Sequence, residues 1–225
     1  MIKYLKLFVS GIYSGLAVGV GSFIFLLATY YLPTNLGVVK FAASALFSIG
    51  LIIICLFALA LYTGRVGFFL DDRSKIKERI IDLIIILLGN AVGAFALGIL
   101  LHFVCLNFTG LQGLAVSVSN SKVASDYVFM EGILCGAMVY VAVYSYKKFD
   151  NFGMKIIGII VPITLFVATG LQHCIANMFF FGMAFNWNIG MLWNLIAVIL
   201  TNSVGALLVW GIARLTTLIG KKQTQ

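Results

Sequence analysis

The chain carries no charged residue between Ile156 and Ala213, and its other long segments are nearly as apolar. A helix that crosses the hydrocarbon core of a bilayer needs roughly 20 consecutive, mostly apolar residues. Six segments meet this requirement, at residues 6–32, 40–62, 80–105, 126–146, 154–185 and 189–215. With 62% apolar residues, 10% charged residues and a mean hydropathy of +1.12, the surface suits lipid better than water. The sequence predicts an all-α integral membrane protein with six transmembrane helices.

The N-terminal segment superficially resembles a secretory signal because Lys3 and Lys6 precede an apolar stretch. That stretch runs uncharged from Leu7 to Val39 and lacks a convincing small-residue cleavage site. We therefore expect a retained first helix.

The basic residues predict the orientation in the membrane. With both termini inside, only Lys40 and Lys122 of the 15 lysines and arginines lie outside. The cytoplasmic set is Lys3, Lys6, Arg65, Arg73, Lys75, Lys77, Arg79, Lys147, Lys148, Lys155, Arg214, Lys221 and Lys222. This positive-inside asymmetry explains the net charge of +8 through anionic lipid headgroups, without nucleic acid. We expect a multi-pass protein of the bacterial cytoplasmic membrane.

Two motif pairs recur in the same order in the two halves. The pattern N-x-V-G-A occurs at 90–94 and at 202–206, and a Thr-Gly pair interrupts the second apolar segment at 63–64 and the fifth at 169–170. Since the paired segments cross in opposite directions, we expect an inverted three-plus-three repeat with broken helices 2 and 5 beside a pore. We treat 1–225 as one channel domain with halves of about 1–110 and 111–225. Chance and close helix packing are the alternative explanations of these short motifs.

A polar island at residues 169–178 interrupts the fifth segment and contains His173. An ionisable side chain at bilayer depth is costly and by default marks a pathway or a redox site. A structural histidine that only makes hydrogen bonds within a helix bundle is the alternative.

Other residues carry weaker signals. Gly11, Gly15 and Gly19 give the first helix a small-residue face for intramolecular packing or a subunit interface. Arg65, beside the Thr-Gly pair, either concentrates anions at the inner mouth or anchors the chain to lipid.

Neither the cysteines nor the acidic residues form a pattern typical of catalysis. Small buried apolar positions are the expected role of Cys55, Cys105, Cys135 and Cys174, whose spacing fits neither a metal site nor paired disulfides. A solvated face is the expected role of Asp71, Asp72, Glu78 and Asp82, which alternate with basic residues. We therefore expect no enzyme activity, no metal and no cofactor.

Taken in order along residues 10–215, the motifs resemble those of the formate/nitrite transporter family. They are Phe47-Ser48-Ile49-Gly50-Leu51, Leu61-Tyr62-Thr63-Gly64, Gly89-Asn90 with Gly93, Lys122 ahead of Glu131-Gly132-Ile133-Leu134-Cys135, and Gly170-x-x-His173-x-x-Ala176-Asn177-Met178. The histidine motif is the most specific of these.

The resemblance implies an aquaporin-like protomer in a homopentamer, with one pore for small monovalent weak-acid anions in each subunit. It further implies apolar constrictions at Phe47, Leu51 and Phe166, a mobile break at Thr63 and a central polar His173. Lys122 would be the basic residue of the outer vestibule, and Asn90 and Asn202 would hold the broken segments. Gln172 and Asn177 complete the predicted pore set.

The same layout has a physical rationale. Transferring a bare anion from water into hydrocarbon costs tens of kcal/mol of solvation free energy. The neutral acid therefore crosses an apolar constriction far more easily. The proton can come from His173, since the ordinary pKa of histidine is about 6.5. Alternatively, Lys122 attracts the anion and water protonates it in the vestibule. We expect a neutral His173 at rest.

Each of these assignments has a simpler alternative. Lys122 could pair with Asp126 at i,i+4, and Phe47 and Phe166 could be ordinary packed aromatics. Two positions also depart from the family pattern: Gln172 stands where many members have an acidic residue, and Gly136 stands where an Asn is common. Without that acid, one group that would stabilise an imidazolium at His173 is missing. Gly136 either widens the pore or packs closely, and the few residues before the first helix leave little room for a pH-gating N-terminal helix.

The choice of substrate stays open at this stage. Formate leads as the commonest inferred family substrate, with hydrosulfide or nitrite as alternatives. The rival from another class is a redox subunit that binds haem through His102 and His173, which would require both rings at one depth and facing each other.

Overall fold

The structure is a computed structural model that describes residues 2–32 and 37–223. Its helices are α1 (Ile2–Tyr31), α2 (Gly37–Phe47), α3 (Ile49–Leu56), α4 (Tyr62–Arg65), α5 (Ile76–Val104), α6 (Thr109–Val123), α7 (Val128–Lys148), α8 (Phe152–Ala168), α9 (Cys174–Ala184) and α10 (Ile189–Gln223). Two 3₁₀ turns, Val66–Asp71 and Arg73–Lys75, join α4 to α5. The side chains of Arg73, Lys221 and Lys222, counted above as cytoplasmic, lie outside the described part.

Within that part, five helical stretches are long and apolar enough to cross a bilayer. They are Ile2–Tyr31, Gly37–Leu56, Ile76–Val104, Val128–Lys148 and Ile189–Thr217. The remaining predicted segment consists of the two shorter apolar helices α8 and α9. The prediction of an all-helical integral membrane protein is confirmed.

The second and fifth segments are both interrupted. The chain leaves α3 at Leu56 and resumes helix at Tyr62, and it leaves α8 at Ala168 and resumes at Cys174. The predicted interruption at Thr169-Gly170 is therefore correct.

The predicted interruption at Thr63-Gly64 is wrong by a few residues, because these two residues lie inside α4 and the break is at 57–61. Asn90 Oδ1 accepts a hydrogen bond from the Tyr62 amide at 2.8 Å, which satisfies the first free N–H of α4 and fixes where the helix restarts.

Glycines let two helix pairs pack backbone to backbone. A methyl group at Gly15 of α1 would lie 2.2 Å from the Asn90 carbonyl oxygen of α5. A methyl group at Gly136 of α7 would lie 2.0 Å from the Asn202 carbonyl oxygen of α10. The face at Gly11 and Gly15 is therefore used within the protomer, and Gly136 serves close packing.

Contacts across one end of the molecule join α1, α5, α7, α10 and the 3₁₀ turn at 66–71. Lys3 of α1 forms an ion pair with Glu78 of α5, and Trp210 Nε1 of α10 donates to Asp71 Oδ1 at 2.7 Å. Lys147 of α7 lies with its ammonium nitrogen 3.7 Å from the centroid of the Phe68 ring. This end carries the basic residues assigned to the cytoplasm.

Candidate functional site

Two cavities of similar volume approach each other from opposite ends of the helix bundle. The first, here called the basic cavity, has a volume of about 520 Å³ and is lined by Leu61, Gly64, Arg65, Arg79 and Lys147 among others. The second, here called the histidine cavity, has a volume of about 470 Å³ and is lined by Phe47, Lys122, Phe166, Gln172 and His173 among others. They share no lining residue, and the side chains that lie between them are here called the layer.

Aromatic rings form part of that layer. Phe47 and Phe166 are 5% and 3% exposed, and their rings meet edge to face with centroids 5.4 Å apart. Leu51 is buried in the same apolar cluster. The structure therefore brings Phe47 and Phe166 together, which sequence spacing alone does not require, and it buries Leu51 in the same cluster.

His173 is the N-cap residue of α9, buried at 3% exposure. Its Nδ1 accepts a hydrogen bond from the Ala176 amide at 3.2 Å, and its Nε2 lies 3.0 Å from Thr63 Oγ1. Because the amide can only donate, this network assigns Nδ1 as unprotonated and Nε2 as the N–H that donates to Thr63. The arrangement matches a neutral imidazole.

Thr63 contributes the other half of this contact. It is fully buried in the short helix α4, opposite the break before α9. The His173–Thr63 hydrogen bond thus joins the two interrupted segments, and the adjacent Phe166 ring lies 5.9 Å from the imidazole, centroid to centroid.

Lys122 lies at the end of α6 and its ammonium group faces the break before α9. Its Nζ donates to the carbonyl oxygens of Gly170 at 2.7 Å and Leu171 at 2.9 Å. Among the residues described, no ion pair links Lys122 to Asp126. An ammonium group has three donors, so one remains for the histidine cavity.

Gln172 and Asn177 line the histidine cavity and belong to a buried amide network. Asn177 Nδ2 donates to Gln172 Oε1 at 2.6 Å and to Asn194 Oδ1 at 2.8 Å. Gln172 Nε2 and Asn194 Nδ2 both donate to the Lys122 carbonyl, at 2.9 and 2.8 Å. Sequence reasoning missed Asn194, although a polar amide in the apolar segment at 189–215 was the available signal.

Asn90 and Asn202 make the same three hydrogen bonds in the two halves. Each Oδ1 accepts from the first amide of the helix after the break, Tyr62 at 2.8 Å or Cys174 at 3.0 Å. Each Nδ2 donates to a carbonyl in the break and to one on a neighbouring helix, with acceptors Ala60 and Gly11 for Asn90, and Gln172 and Gly132 for Asn202. Both side chains are fully buried.

The two histidines have separate environments. His102 lies near the end of α5, where its Nδ1 is 3.0 Å from the Met183 carbonyl oxygen and its ring stacks on Phe185. Both ring nitrogens of His173 are engaged by Thr63 and Ala176. Ligation of haem by His173 would require its ring to leave one of these partners, so the geometry offers no support for the redox alternative.

Comparison with known proteins gives concordant results. The chain matches the sequence model of the formate/nitrite transporter family over residues 1–216. It is 30% identical over 190 residues to the formate channel FocA of Haemophilus influenzae, a match that covers 78% of this chain and 65% of that protein's length. It is 30% identical over 196 residues to a probable formate transporter of Methanothermobacter thermautotrophicus, covering 75% and 72% of the two chains.

A solved pentameric formate channel with formate bound has a similar fold. The TM-score is 0.83 over 96% of this chain and 98% of that chain, at 23% sequence identity.

Proposed function

Because the chain belongs to the formate/nitrite transporter family, we propose that it carries small monovalent weak-acid anions, with formate as the first candidate, across the bacterial cytoplasmic membrane. Its relatives are channels and transporters rather than enzymes. The observation that carries this proposal is the hydrogen bond between His173 and Thr63 in the layer between the two cavities.

The composition of that layer accounts for the need for a proton. Phe47, Leu51 and Phe166 are apolar and buried, so they offer nothing to replace the hydration of an anion. Removing the hydration shell of an anion without replacing it costs far more free energy than removing that of a neutral acid. Protonating the anion on one side and deprotonating it on the other removes this cost and couples transport to the pH gradient.

The hydrogen bonds of His173 favour one of the two proton routes. A neutral imidazole whose Nε2–H donates to Thr63 is a hydrogen-bonding group, not an acid with a spare proton. The proton then comes from water in the histidine cavity, where Lys122 attracts the anion with its remaining N–H. The Nε2–H of His173 contacts the neutral acid beside Phe166 by exchanging its acceptor, Thr63 Oγ1, for an oxygen of the acid.

The architecture that we propose is an inverted three-plus-three repeat of six membrane spans in one domain. Its support is the matching hydrogen bonds of Asn90 and Asn202 and the matching interruptions at 57–61 and 169–173. Both termini would be cytoplasmic, and a homopentamer is the proposed assembly. The positive-inside asymmetry supports the cytoplasmic termini. The fold shared with a pentameric channel supports the homopentamer.

Flux into proteoliposomes tests the proposal. Formate, nitrite, hydrosulfide and lactate are supplied over a range of pH to the wild type and to His173→Ala. Formate uptake that exceeds that of protein-free vesicles, and that rises with the inward proton gradient, supports the proposal. If none of the four anions moves in the wild type, the transport function is wrong. If His173→Ala leaves both rate and pH dependence unchanged, the role of His173 is wrong.

A further inference from the structure

The basic cavity has a lining that transport of a small monovalent acid does not explain. It lies on the far side of the layer from the histidine cavity, and Leu61 and Gly64 form part of its wall. Most of its lining is apolar, including Ile54, Leu59 and Phe69. Its volume of about 520 Å³ exceeds what an anion of three non-hydrogen atoms, such as formate, fills.

Three cations line this cavity. Arg65 is the last residue of α4, Arg79 lies near the start of α5, and Lys147 lies in the last turn of α7. The lining contains a single carboxylate, Asp82, whose Oδ1 lies 2.8 Å from Lys3 Nζ. Lys3 also pairs with Glu78, so it balances Asp82 only in part, and Asp82 still interacts electrostatically with Arg65.

Arg79 already has protein partners. Its Nη1 donates to the Phe68 carbonyl at 2.8 Å, and its Nη2 lies 4.0 Å from Asp72 Oδ2. The Asp72 carboxylate accepts from the Ser74 hydroxyl at 2.6 Å and from the Ser74 amide at 3.1 Å, and these bonds hold the pKa of Asp72 below its ordinary range.

Arg65 and Lys147 have no such partner. In residues 2–32 and 37–223, no carboxylate lies within ion-pair distance of either side chain. Lys147 is positioned instead by the Phe68 ring, 3.7 Å from its ammonium nitrogen. Two like charges face one cavity whose apolar walls strengthen their repulsion.

We propose that the basic cavity binds a divalent oxyanion of the sulfate or phosphate class between Arg65 and Lys147. A divalent ligand compensates both cations, whereas a monovalent one leaves one of them uncompensated. The planar guanidinium of Arg65 can donate two parallel hydrogen bonds to two oxygens of a tetrahedral oxyanion. Lys147 supplies a compact charge already held in place by Phe68.

Such an anion also inhibits transport, a consequence that rests on the proposed function. A divalent anion still carries a charge after it takes up one proton, so it cannot cross the layer at Phe47 and Phe166. While it is bound against Leu61 and Gly64, it occupies the space through which the permeant acid leaves.

Isothermal titration calorimetry tests the binding site without reference to transport. Sodium sulfate is titrated into the purified full-length protein in neutral detergent, with ionic strength matched by sodium chloride. We expect saturable binding to the wild type and a loss of about tenfold or more in affinity for Arg65→Gln and for Lys147→Gln. If Arg65→Gln does not fold, Arg65→Lys replaces it, and weaker binding is expected because the fork is lost.

Lys148→Gln is the matched control. It removes the same charge one residue away, but the Lys148 ammonium is directed to the Tyr144 ring, 5.5 Å from its centroid, and does not line the cavity. Unchanged affinity in this variant supports the site. The absence of saturable heat, or equal weakening in Lys147→Gln and Lys148→Gln, overturns it.

Flux separates the inhibitory consequence from the transport function. Sulfate enclosed on the side of the basic cavity should slow formate flux in the wild type, and Arg65→Gln should relieve the inhibition. If sulfate binds but flux is unaffected, the inhibition is overturned. If no protein variant moves formate while calorimetry shows binding, the proposed transport function fails and the binding site stands.

Discussion

Ala58 and Gly170 occupy equivalent places in the two breaks, and both have left-handed backbone, with φ of 51° and 76°. Each follows a helix end closed by the same pair of bonds, namely Ala58 N to Cys55 O with Leu59 N to Ile54 O, and Gly170 N to Val167 O with Leu171 N to Phe166 O. This is the Schellman arrangement, in which glycine is the usual left-handed residue. The first half uses alanine there, at a backbone cost that the second half avoids.

Gly170→Ala should lower the free energy of unfolding by about 1 kcal/mol. The space around a methyl group at Gly170 is open, so the cost is purely conformational. Ala58→Gly, the reverse change in the other half, should cause no loss. Thermal unfolding in detergent, followed by circular dichroism, measures both, and equal losses would contradict the explanation.

Asn202→Ala should destabilise the protein by several kcal/mol, since each buried group left without its hydrogen bond costs about 1–3 kcal/mol. The change leaves the Cys174 amide and the carbonyls of Gln172 and Gly132 without their hydrogen-bond partner. Asn107→Ala, at an exposed position, serves as control. A melting temperature within error of the control would refute the assigned role of the side chain.

Gly136→Ala should cost about 1–3 kcal/mol, because the added methyl group would lie 2.0 Å from the Asn202 carbonyl oxygen and the backbones must separate. Gly113→Ala, in helix α6 with open space around the new methyl group, should be neutral or stabilising. Denaturation midpoints compare the two. Wild-type stability in Gly136→Ala would show that this glycine does not serve close packing.

Thr63→Val keeps the shape of Thr63 but removes the acceptor for the Nε2–H of His173, which is 3.0 Å away. We expect a fall in formate flux of about tenfold, the equivalent of roughly 1.4 kcal/mol. Thr63→Ser keeps the hydroxyl and should retain most of the flux. The test is the initial rate of formate flux in proteoliposomes. Equal rates in the two variants would show that the hydroxyl is dispensable.

The break positions show where sequence reasoning reached its limit. Thr169-Gly170 was recognisable because glycine in a polar island is locally unusual. The other break was misplaced onto Thr63-Gly64, since its actual position depends on Asn90, 28 residues away from Tyr62 along the chain. No local sequence pattern in Phe57–Leu61 indicates this break.

Lys122 shows the same limit for the site. Asp126 and the carbonyls of Gly170 and Leu171 were all chemically suitable partners, and only the packing of α6 against the second break selects the carbonyls, 48 and 49 residues away. Asn194 could not be identified from the sequence because its role depends on a hydrogen bond with Asn177, on another helix.

The sequence by itself determined that this chain is an integral membrane protein, because apolar stretches of about 20 residues partition into the lipid bilayer. Its motif order also determined the family, which the match over residues 1–216 bears out. Only the tertiary structure decided that Phe47 meets Phe166, that His173 donates to Thr63, and that Arg65 and Lys147 face one cavity. These relationships join distant parts of the chain, and their geometry follows from backbone contacts between helices that no local composition encodes.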